Sequence, residues 1–530
     1  MARIDGKIKC WRMMSTHGLM VRCLASTRVT GSSLENGHSE ELDHRDGPEK
    51  TQDVERHEVE EGDTIEVNEA VESSQHEDSY NLINDRAPES VTPSASIHSD
   101  SESASSVTSS DNPAFVQSTG LISCIQEAQL SPDGTCIFTS DYDRAFSVYP
   151  IATDVLDSTA TRPLKVYAQF KSADPIWAFA ANPLFNLQDS SSTHVLVSRR
   201  DRYITLHNAL WDVSASYPGA EPQTSPVDIH TPLASYKLIN HLNEAVTAPL
   251  SLAYSTSGTH FFAGTQNSIA IFDLTNTDDP IHTIPTIPSK RNKLKGGGRG
   301  FKGYVSALSV SPPTSTSSEG LLAAGARTRY VGIYDCISGS EVTHFSLPGT
   351  VDGKKLRNEN LAHIMGDGVS SLKWSPCGRY LYVAERQSDV LLIYDVRNFA
   401  LALGYCAGRT ALTKQKLGFD VWNAGASPYD VESIAHEVWA GGTDGKVRVW
   451  KDPYLKEGAV EADEVVDVGD GETMPVVGTL VHASGNLAVT ARGILETGDD
   501  TLERGVRRGG SIRPRFSERG CLDILGLSGY

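Results

Sequence analysis

The sequence predicts an all-β fold: a seven-bladed WD-repeat β-propeller behind a long disordered acidic N-terminal tail. Short apolar strands recur from about Leu121 onward, Ser-Pro-x-Gly-type turns separate them, and an aromatic residue ends each unit. Continuous apolar runs, such as residues 269–272 and 390–393, suit strands covered on both faces by neighbouring blades. Six aromatic ends fall about 56 to 62 positions apart, which indicates a repeat. They are Tyr149, Trp211, Phe272, Tyr334, Tyr394 and Trp450.

Each unit has the pattern of three strands joined by tight turns, with a fourth strand in the following linker. The clearest turns are residues 131–134, 255–258 and 375–378, which contain the Gly, Pro, Ser and Asp that favour turns. We expect fourth strands at residues 233–239 and 341–347. Because one four-stranded sheet cannot bury both of its faces, the repeats must stack, and radial stacking closes a propeller.

The seventh unit is the weakest in sequence. We expect its first two strands at residues 475–481 and 486–491 and a third at 521–525. A Gly/Arg-rich insertion at about 493–518 interrupts the unit and is predicted to be disordered. The propeller is therefore predicted over residues 115–530.

Residues 1–114 are predicted to be a disordered, Ser-rich acidic tail. From residue 35 to residue 100 there are about 20 acidic and about 4 basic residues, with few large apolar ones. Such a segment cannot bury enough apolar surface to offset the entropy of ordering. The net charge of −20 therefore mostly describes this tail. For residues 1–29, a mitochondrial transit segment is the alternative to a plain disordered terminus.

Several function classes lack their sequence signals. The 8 cysteines are far apart, without a Cys-x-x-Cys pair, which argues against a zinc module or a disulfide framework and suits a reducing compartment. No apolar run is long enough to span a membrane. A Gly-x-Gly-x-x-Gly match at Gly298, Gly300 and Gly303 leads into a strand rather than a helix, so it is no dinucleotide site. We expect no enzyme activity, no metal, no cofactor and no small-molecule substrate.

The order of several segments is similar to that of one family, with Asn-His-Leu-Asn-Glu at residues 240–244 as the most distinctive part. On these segments the chain resembles the telomerase Cajal body proteins, WD-repeat factors of animals, and the related fungal proteins that associate with small nuclear ribonucleoproteins. The resemblance covers about residues 120–525. The segments are 240–244, 249–254, 261–264, 268–272, 303–308, 323–327, 368–374, 392–397 and 413–420.

The resemblance implies a nuclear, monomeric propeller that binds small structured RNA or small nuclear ribonucleoprotein proteins. In animals the family recognises a short box in the terminal loop of small Cajal-body RNAs and of telomerase RNA. The implied roles are pre-mRNA splicing and the assembly or localisation of the telomerase ribonucleoprotein. Of the two roles, we expect the splicing role of the family to apply to this chain. The implied location is the nucleoplasm or Cajal-body-like foci, with the cytoplasm as the alternative.

Arginines in the turns between second and third strands are the first candidate RNA-binding residues. In a propeller of this type these turns open on the same face as the linker entering each blade. Arginines around one rim could pair with phosphates and stack on unpaired bases. The alternative is that each arginine pairs with a nearby acid, such as Asp143, Asp201 or Asp389, and only locks its turn. The candidates are Arg199, Arg202, Arg327, Arg329 and Arg386.

A basic loop at residues 289–303 is the second candidate. Its Gly/Arg-rich sequence with an embedded aromatic could clasp phosphates without reading base sequence. A nuclear-import signal and a plain solvated loop are the alternatives. The candidate residues are Lys290, Arg291, Lys293, Lys295, Arg299 and Lys302.

Two rival functions come from other classes. The segment Tyr394-Asp395-Val396-Arg397 is similar to the Trp-Asp-x-Arg box of propellers that serve as substrate receptors of cullin-type ubiquitin ligases. A scaffold for proteins alone is the second rival. A propeller fold by itself does not choose among these functions.

Overall fold

The computed structural model describes twelve stretches of the chain. They are residues 12–14, 18–29, 122–214, 226–240, 243–287, 300–314, 317–351, 353–356, 359–423, 434–469, 473–497 and 516–528. The predicted disorder of residues 30–114 lies outside these stretches. So do the candidates Lys290, Arg291, Lys293, Lys295 and Arg299.

The described residues form a closed, seven-bladed β-propeller, as predicted. Seven antiparallel sheets follow one another along the chain, each with a core of four strands. The first strands of all seven line one central channel of about 710 Å³. The ring is closed because Ile125 and Ile137 of the first blade pack in one buried cluster with Leu480 and Val489 of the last.

Strand bounds match the repeat pattern in blades 1 to 4. Within each blade the strands run from the channel outward in chain order. Blade 1 contains Ile125–Leu130, Cys136–Asp141, Ala145–Pro150 and Ala168–Lys171. Blade 2 contains Ile176–Ala181, His194–Arg199, Ile204–Asn208 and Pro232–Tyr236. Blade 3 contains Ser251–Tyr254, His260–Gly264, Ser268–Asp273 and His282–Pro285. Blade 4 contains Val305–Val310, Leu321–Ala326, Tyr330–Asp335 and Glu341–Ser346.

Blades 5 and 6 continue in the same way, and blade 7 uses both ends of the chain. Blade 5 contains Val369–Trp374, Tyr380–Glu385, Leu391–Asp395 and Gly404–Cys406. Blade 6 contains Phe419–Trp422, Glu437–Gly441, Lys446–Lys451 and Glu464–Asp467. Blade 7 contains Val476–Val481, Leu487–Thr497, Phe516–Ser528 and Met20–Ser26. The strand Arg12–Met14 pairs with Met20–Ser26 at its outer side.

Helical structure in the described residues is short. It consists of the 3-10 segments Val155–Asp157, Glu359–Ile364 and Pro453–Leu455. None of these helices has the length and apolar character needed to cross a membrane. No group of three or more His, Cys, Asp or Glu residues within the described stretches is arranged to hold a metal ion.

The hydrophobic core lies between blades rather than within one layer. Seven large buried clusters each join two consecutive blades around the ring. The aromatic ends Tyr149, Phe272, Tyr334, Tyr394 and Trp450 are buried in them. Blade 2 departs from the pattern because Trp211 follows the third strand and is half-buried. The aromatic position inside that strand is taken by His207, whose ring stacks on Phe170 at 4.6 Å.

The fourth strand of blade 7 corrects the prediction that residues 1–114 form one disordered tail. Met20–Ser26 pairs antiparallel with Phe516–Ser528, and Leu19, Val21 and Leu24 are buried. This single strand has no repeat around it in the sequence, so periodicity does not reveal it. A targeting segment removed at Val29 would take this strand with it.

The predicted insertion at 493–518 is too wide at both ends. The second and third strands of blade 7 extend to Thr497 and begin again at Phe516, with Thr497 paired to Phe516. Of the predicted insertion, residues 498–515 lie outside the described stretches. The chain also leaves blade 7 after Val29 and enters blade 1 at Ile122, which bridges to Gly520 of the third strand.

Three outer strands are covered by short parallel strands from the next blade. Arg162–Pro163 pairs with Met20–Ser26, Val227–Asp228 pairs with Ala168–Lys171, and Gly458–Val460 pairs with Gly404–Cys406. Each covering strand comes from the connection between the third and fourth strands of the blade that follows. The extra length in these connections therefore protects sheet edges, which otherwise expose unpaired backbone groups.

We expect Leu24→Ala to lower the free energy of unfolding by about 2–5 kcal/mol, because it leaves a cavity between blades 7 and 1. Leu156→Ala, at a residue that is 44% exposed, is the matched control and should change stability little. Chemical denaturation of both variants measures this difference. Equal, small effects would contradict the assignment of Met20–Ser26 to blade 7.

Candidate functional site

The upper face is defined here by the turns between second and third strands and by the connections entering each blade. Several of these turns contain a non-glycine residue in the left-handed region, including Arg144, Arg329 and Gln387 at φ of 65°, 64° and 50°. That conformation is uncommon for residues with a side chain and marks tight turns. All five candidate arginines that the structure describes lie in these turns or at the strand end directly before one.

The arginines of blades 1 and 2 mostly fasten the turns together. Arg202 Nε donates to Asp174 Oδ2 at 2.8 Å, and Arg144 donates to the carbonyl of Ala173. Arg199 is half-buried, donates to Thr205 Oγ1 at 3.3 Å, and lies 6.0 Å from the centre of the Phe170 ring. Burial lowers the pKa of Arg199 from its ordinary value.

The acids that were expected to pair with these arginines have other partners. Asp143 accepts from Lys171 Nζ at 2.6 Å, and Asp389 accepts from the backbone N–H of Ala411. Asp201 Oδ2 lies 3.5 Å from Arg200 Nε, so its ion pair is with Arg200 rather than with Arg202. Arg202 is therefore paired with an acid, as the structural alternative expects, although the acid is Asp174, and its RNA-binding role stays a prediction.

Arg329 corrects the prediction of a surface role. Its side chain is 3% exposed and donates from Nε and Nη2 to the two oxygens of Glu385 at 2.7 and 2.8 Å. Its Nη1 donates to Thr350 Oγ1 at 2.7 Å. Glu385 belongs to the second strand of blade 5, so this buried bidentate pair ties blade 4 to blade 5 and is closed to a ligand.

Arg386 is half-buried and points toward the next connection. Its Nε donates to the carbonyl of Lys414 at 3.1 Å. Burial lowers the pKa of Arg386, and the nearby positive charge of Arg327 lowers it further. The two arginines therefore lie close enough to repel each other, without an acid paired to either in the described residues.

The connection entering blade 6 crosses the upper mouth of the channel. Gln415 Nε2 donates to the carbonyl of Gly493 in blade 7 at 3.1 Å. Lys416 Nζ lies 2.9 Å from Glu127 Oε2 of blade 1. These contacts fix the connection against blades 7 and 1, and Leu412 and Lys414 in the same connection are exposed.

We name Lys302, Tyr304, Arg327, Lys354 and Lys414 the blade 4–5 patch. All five are exposed. The Arg327 N–H donates to the carbonyl of Tyr304 at 3.0 Å, which places the two residues side by side.

Thr328 holds the remaining parts of the patch together. Its Oγ1 donates to the carbonyl of Lys302. Gly303, with φ of 124°, faces the Thr328 side chain so closely that an added Cβ would lie 2.8 Å away. On the other side, an added Cβ on Gly353 would lie 3.9 Å from the Cβ of Thr328, which places Lys354 next to it. The connections entering blades 4 and 5 thus both meet the turn that contains Thr328.

The charge of this patch is largely uncompensated. In the described residues, no acid is paired with Lys302, Arg327, Lys354 or Lys414. Lys355, the neighbour of Lys354, is paired with Asp367 and is not counted in the patch. Tyr304 adds a ring that is 44% exposed. An exposed ring beside free cations can stack on an unpaired base while the cations contact phosphates.

The structure brings together only part of the predicted set. Arg327 and Lys302 lie in the patch, and Arg386 lies beneath it. Tyr304, Lys354 and Lys414 were not predicted, because a linear pattern does not show that two connections meet at Thr328 or that Lys414 lies next to Arg386. Lys354 lies in the second strand of a short hairpin, Thr350–Val351 with Lys354–Lys355, inside a connection without repeat character.

The other predicted motifs have structural explanations. Gly303 leads into the strand Val305–Val310, as expected for a sequence that is not a dinucleotide-binding turn. On the opposite face, Arg397 Nη2 and Nε donate to both oxygens of Asp395, at 2.5 to 3.1 Å. This local pair accounts for the Tyr-Asp-x-Arg segment without a partner protein.

No protein-family model matches the chain. The chain is similar to guanine nucleotide-binding protein negative regulator 1 of Schizosaccharomyces pombe, with 26% identity over 333 residues. The match covers 62% of this chain and 70% of that protein. Together with the propeller, it supports a WD-repeat scaffold. Membership of the telomerase Cajal body family stays a prediction.

Arg329→Ala should lower the free energy of unfolding by about 3–5 kcal/mol, because it leaves the carboxylate of Glu385 buried and unpaired. Arg327→Ala, two residues away and exposed, should change it by less than about 0.5 kcal/mol. Denaturant titration of both variants checks the contrast. A stable Arg329→Ala protein would show that the pair does not tie blades 4 and 5 together.

Proposed function

We propose that this chain is a non-catalytic WD-repeat scaffold that binds small nuclear RNA, or a ribonucleoprotein containing it, through the blade 4–5 patch. The observation that carries the proposal is the exposed ring of Tyr304 beside Arg327, in a cluster of cations with which no acid of the described residues is paired. The sequence resemblance to small nuclear ribonucleoprotein factors supports the same ligand.

The composition of the patch suits an RNA with unpaired nucleotides. Single-stranded segments are bound by aromatic platforms for bases and by cations that follow the backbone. The chain's net charge of −20 does not oppose this, because local charge rather than net charge sets the field at a patch. On this proposal the protein acts in the nucleus, in pre-mRNA splicing or in telomerase ribonucleoprotein assembly.

A second candidate comes from the relative. The S. pombe protein is named a negative regulator of a guanine nucleotide-binding protein. By that similarity, this chain would bind a signalling protein rather than an RNA. Its partners would then survive nuclease treatment, and the patch cations would be dispensable.

A function as a substrate receptor of a ubiquitin ligase has less support. That function was suggested by Arg397, whose guanidinium is held in a bidentate pair with Asp395. An arginine held this way needs no adaptor protein to explain its presence in the sequence. We therefore do not propose a ligase function.

The first test is crosslinking of the tagged full chain in cells, followed by sequencing of the recovered RNA. We expect enrichment of small nuclear RNA with the unmodified chain and a loss of at least about tenfold with Lys302→Ala, Arg327→Ala and Lys354→Ala combined. Arg202→Ala, at a cation paired with Asp174, is the matched control and should leave recovery unchanged. Recovery of no RNA above background would reject the proposal and favour the protein-binding candidate.

A binding titration with purified protein separates phosphate contacts from stacking. Each patch cation that contacts a phosphate should lower the slope of log affinity against log salt by about 0.7 when it is removed. Tyr304→Ala should weaken binding of a single-stranded oligouridine by about 1–3 kcal/mol without changing that slope. Fluorescence anisotropy at several salt concentrations measures both quantities. An unchanged slope in Arg327→Ala would place the RNA elsewhere.

A further inference from the structure

The connection that enters blade 1 differs from the other entering connections in length and in charge. It begins after Val29, behind the fourth strand of blade 7, and ends at Ile122, so it contains 92 residues. Residues 30–121 include 22 acidic and 4 basic residues, which gives a net charge of −18. Nearly all of the chain's net charge of −20 therefore lies in this one connection.

Both ends of this acidic connection lie on the upper face. Met20–Ser26 runs toward that face, because it is antiparallel to Phe516–Ser528, which begins there. Ile122 bridges to Gly520 near the start of the same third strand. The acids are thus tethered at both ends to the face that carries the blade 4–5 patch. An extended chain spans about 3.3 Å per residue, so the length of the connection does not restrict which part of the face the acids reach.

The entrance to blade 1 is close to the connection that supplies Lys414. Lys416, two residues after Lys414, places its Nζ 2.9 Å from Glu127 Oε2 of blade 1. Glu127 is in turn five residues after Ile122, where the acidic connection ends. The acidic connection therefore ends within a few residues of a side chain that contacts the lysine-bearing connection entering blade 6.

The patch has opposite charge to this connection, and several acids around the patch already have partners. No acid of the described residues is paired with Lys302, Arg327, Lys354 or Lys414. The acids with partners are Glu127, Asp367, Glu385 and Asp389, which are bonded to Lys416, Lys355, Arg329 and the N–H of Ala411. The largest concentration of carboxylates that the chain itself supplies is in residues 35–78, with 17 acidic and 3 basic residues.

We propose that residues 35–78 of the acidic connection bind the blade 4–5 patch of their own chain and compete there with RNA. The competition rests on the proposed function, whereas the intramolecular binding does not. Because the segment is tethered on the same face, weak ion pairs are enough to occupy the patch. The acids act through this position rather than through the net charge of the chain.

The first test joins carboxylates to lysine amines in the RNA-free full chain with a zero-length carbodiimide and maps the products by mass spectrometry. We expect crosslinks from residues 35–78 to Lys302, Lys354 and Lys414, and a loss of most of them at about 0.5 M salt. Lys456 is the control amine, because it is exposed in the connection after the third strand of blade 6, away from the upper face. It should give few crosslinks to residues 35–78.

Two charge-reversal variants test whether the patch causes these crosslinks. Arg327→Glu changes an exposed cation of the patch without removing a crosslinkable amine, so the crosslinks of the three patch lysines should fall by about threefold or more. Arg397→Glu changes the net charge equally on the opposite face, at a side chain that is 79% exposed, and should leave them unchanged. Thermal unfolding verifies that both variants are folded.

The second test measures competition by the affinity of the full chain for a single-stranded oligouridine at low salt. Two variants each replace five acids by Gln or Asn, one in the dense part of the connection and one in the sparse part. The dense set is Glu55, Glu58, Glu60, Glu61 and Asp63, and the sparse set is Asp85, Glu89, Asp100, Glu102 and Asp111. The dense variant should bind about threefold tighter or more, because the patch is unoccupied for a larger fraction of the time, and the sparse variant should change less.

The outcomes separate this proposal from the RNA proposal. Crosslinks absent from the patch lysines would overturn it, and so would crosslinks that join only different chains in a mixture of isotopically light and heavy protein. Equal oligouridine affinities of the unmodified chain and the dense variant would contradict the competition. If the crosslinks form but no variant binds RNA, the intramolecular binding stands and the RNA function fails.

Discussion

Each blade of this propeller depends on its neighbours to cover its two faces, and every other feature rests on that mutual coverage closing into a ring. The seven buried clusters lie between consecutive blades, so no blade has a core of its own. An open row of blades would leave one apolar face exposed at each end. The strand Met20–Ser26 secures the closing junction by joining the two ends of the chain in one sheet.

Ring closure also decides which cations serve the structure. Arg329 is buried where blade 4 meets blade 5, and Arg492 is buried beside Asp523 within blade 7. Arg409 is buried between blades 5 and 6, where it donates to the carbonyls of Leu417, Gly418 and Gly441. Arg327 and Lys354, which lie in turns and connections on the upper face, are exposed instead. Whether an arginine stabilises the fold therefore depends on whether its position is buried between or within blades.

The repeated blades could be predicted from the sequence, but the contacts that connect different blades could not. Turn residues and buried third strands recur at a fixed period, so six blades and the strands of Glu341–Ser346 and Pro232–Tyr236 could be predicted. Met20–Ser26 could not, because its partner lies at the other end of the chain. For the site, Arg327 and Lys302 could be predicted from their turn and loop. The burial of Arg329 could not, since a turn sequence does not show that Glu385 of the next blade faces it.

Connections of this propeller divide into two kinds with separate tasks. Those between third and fourth strands pack against the outer edge of the preceding blade, and where they are long they pair with it. Those entering a blade lie on the upper face, where the connections entering blades 4 and 5 both meet Thr328, in the turn between the second and third strands of blade 4. The blade 4–5 patch therefore belongs to the entering connections and the turn at Thr328, and the covered sheet edges depend on the connections between third and fourth strands.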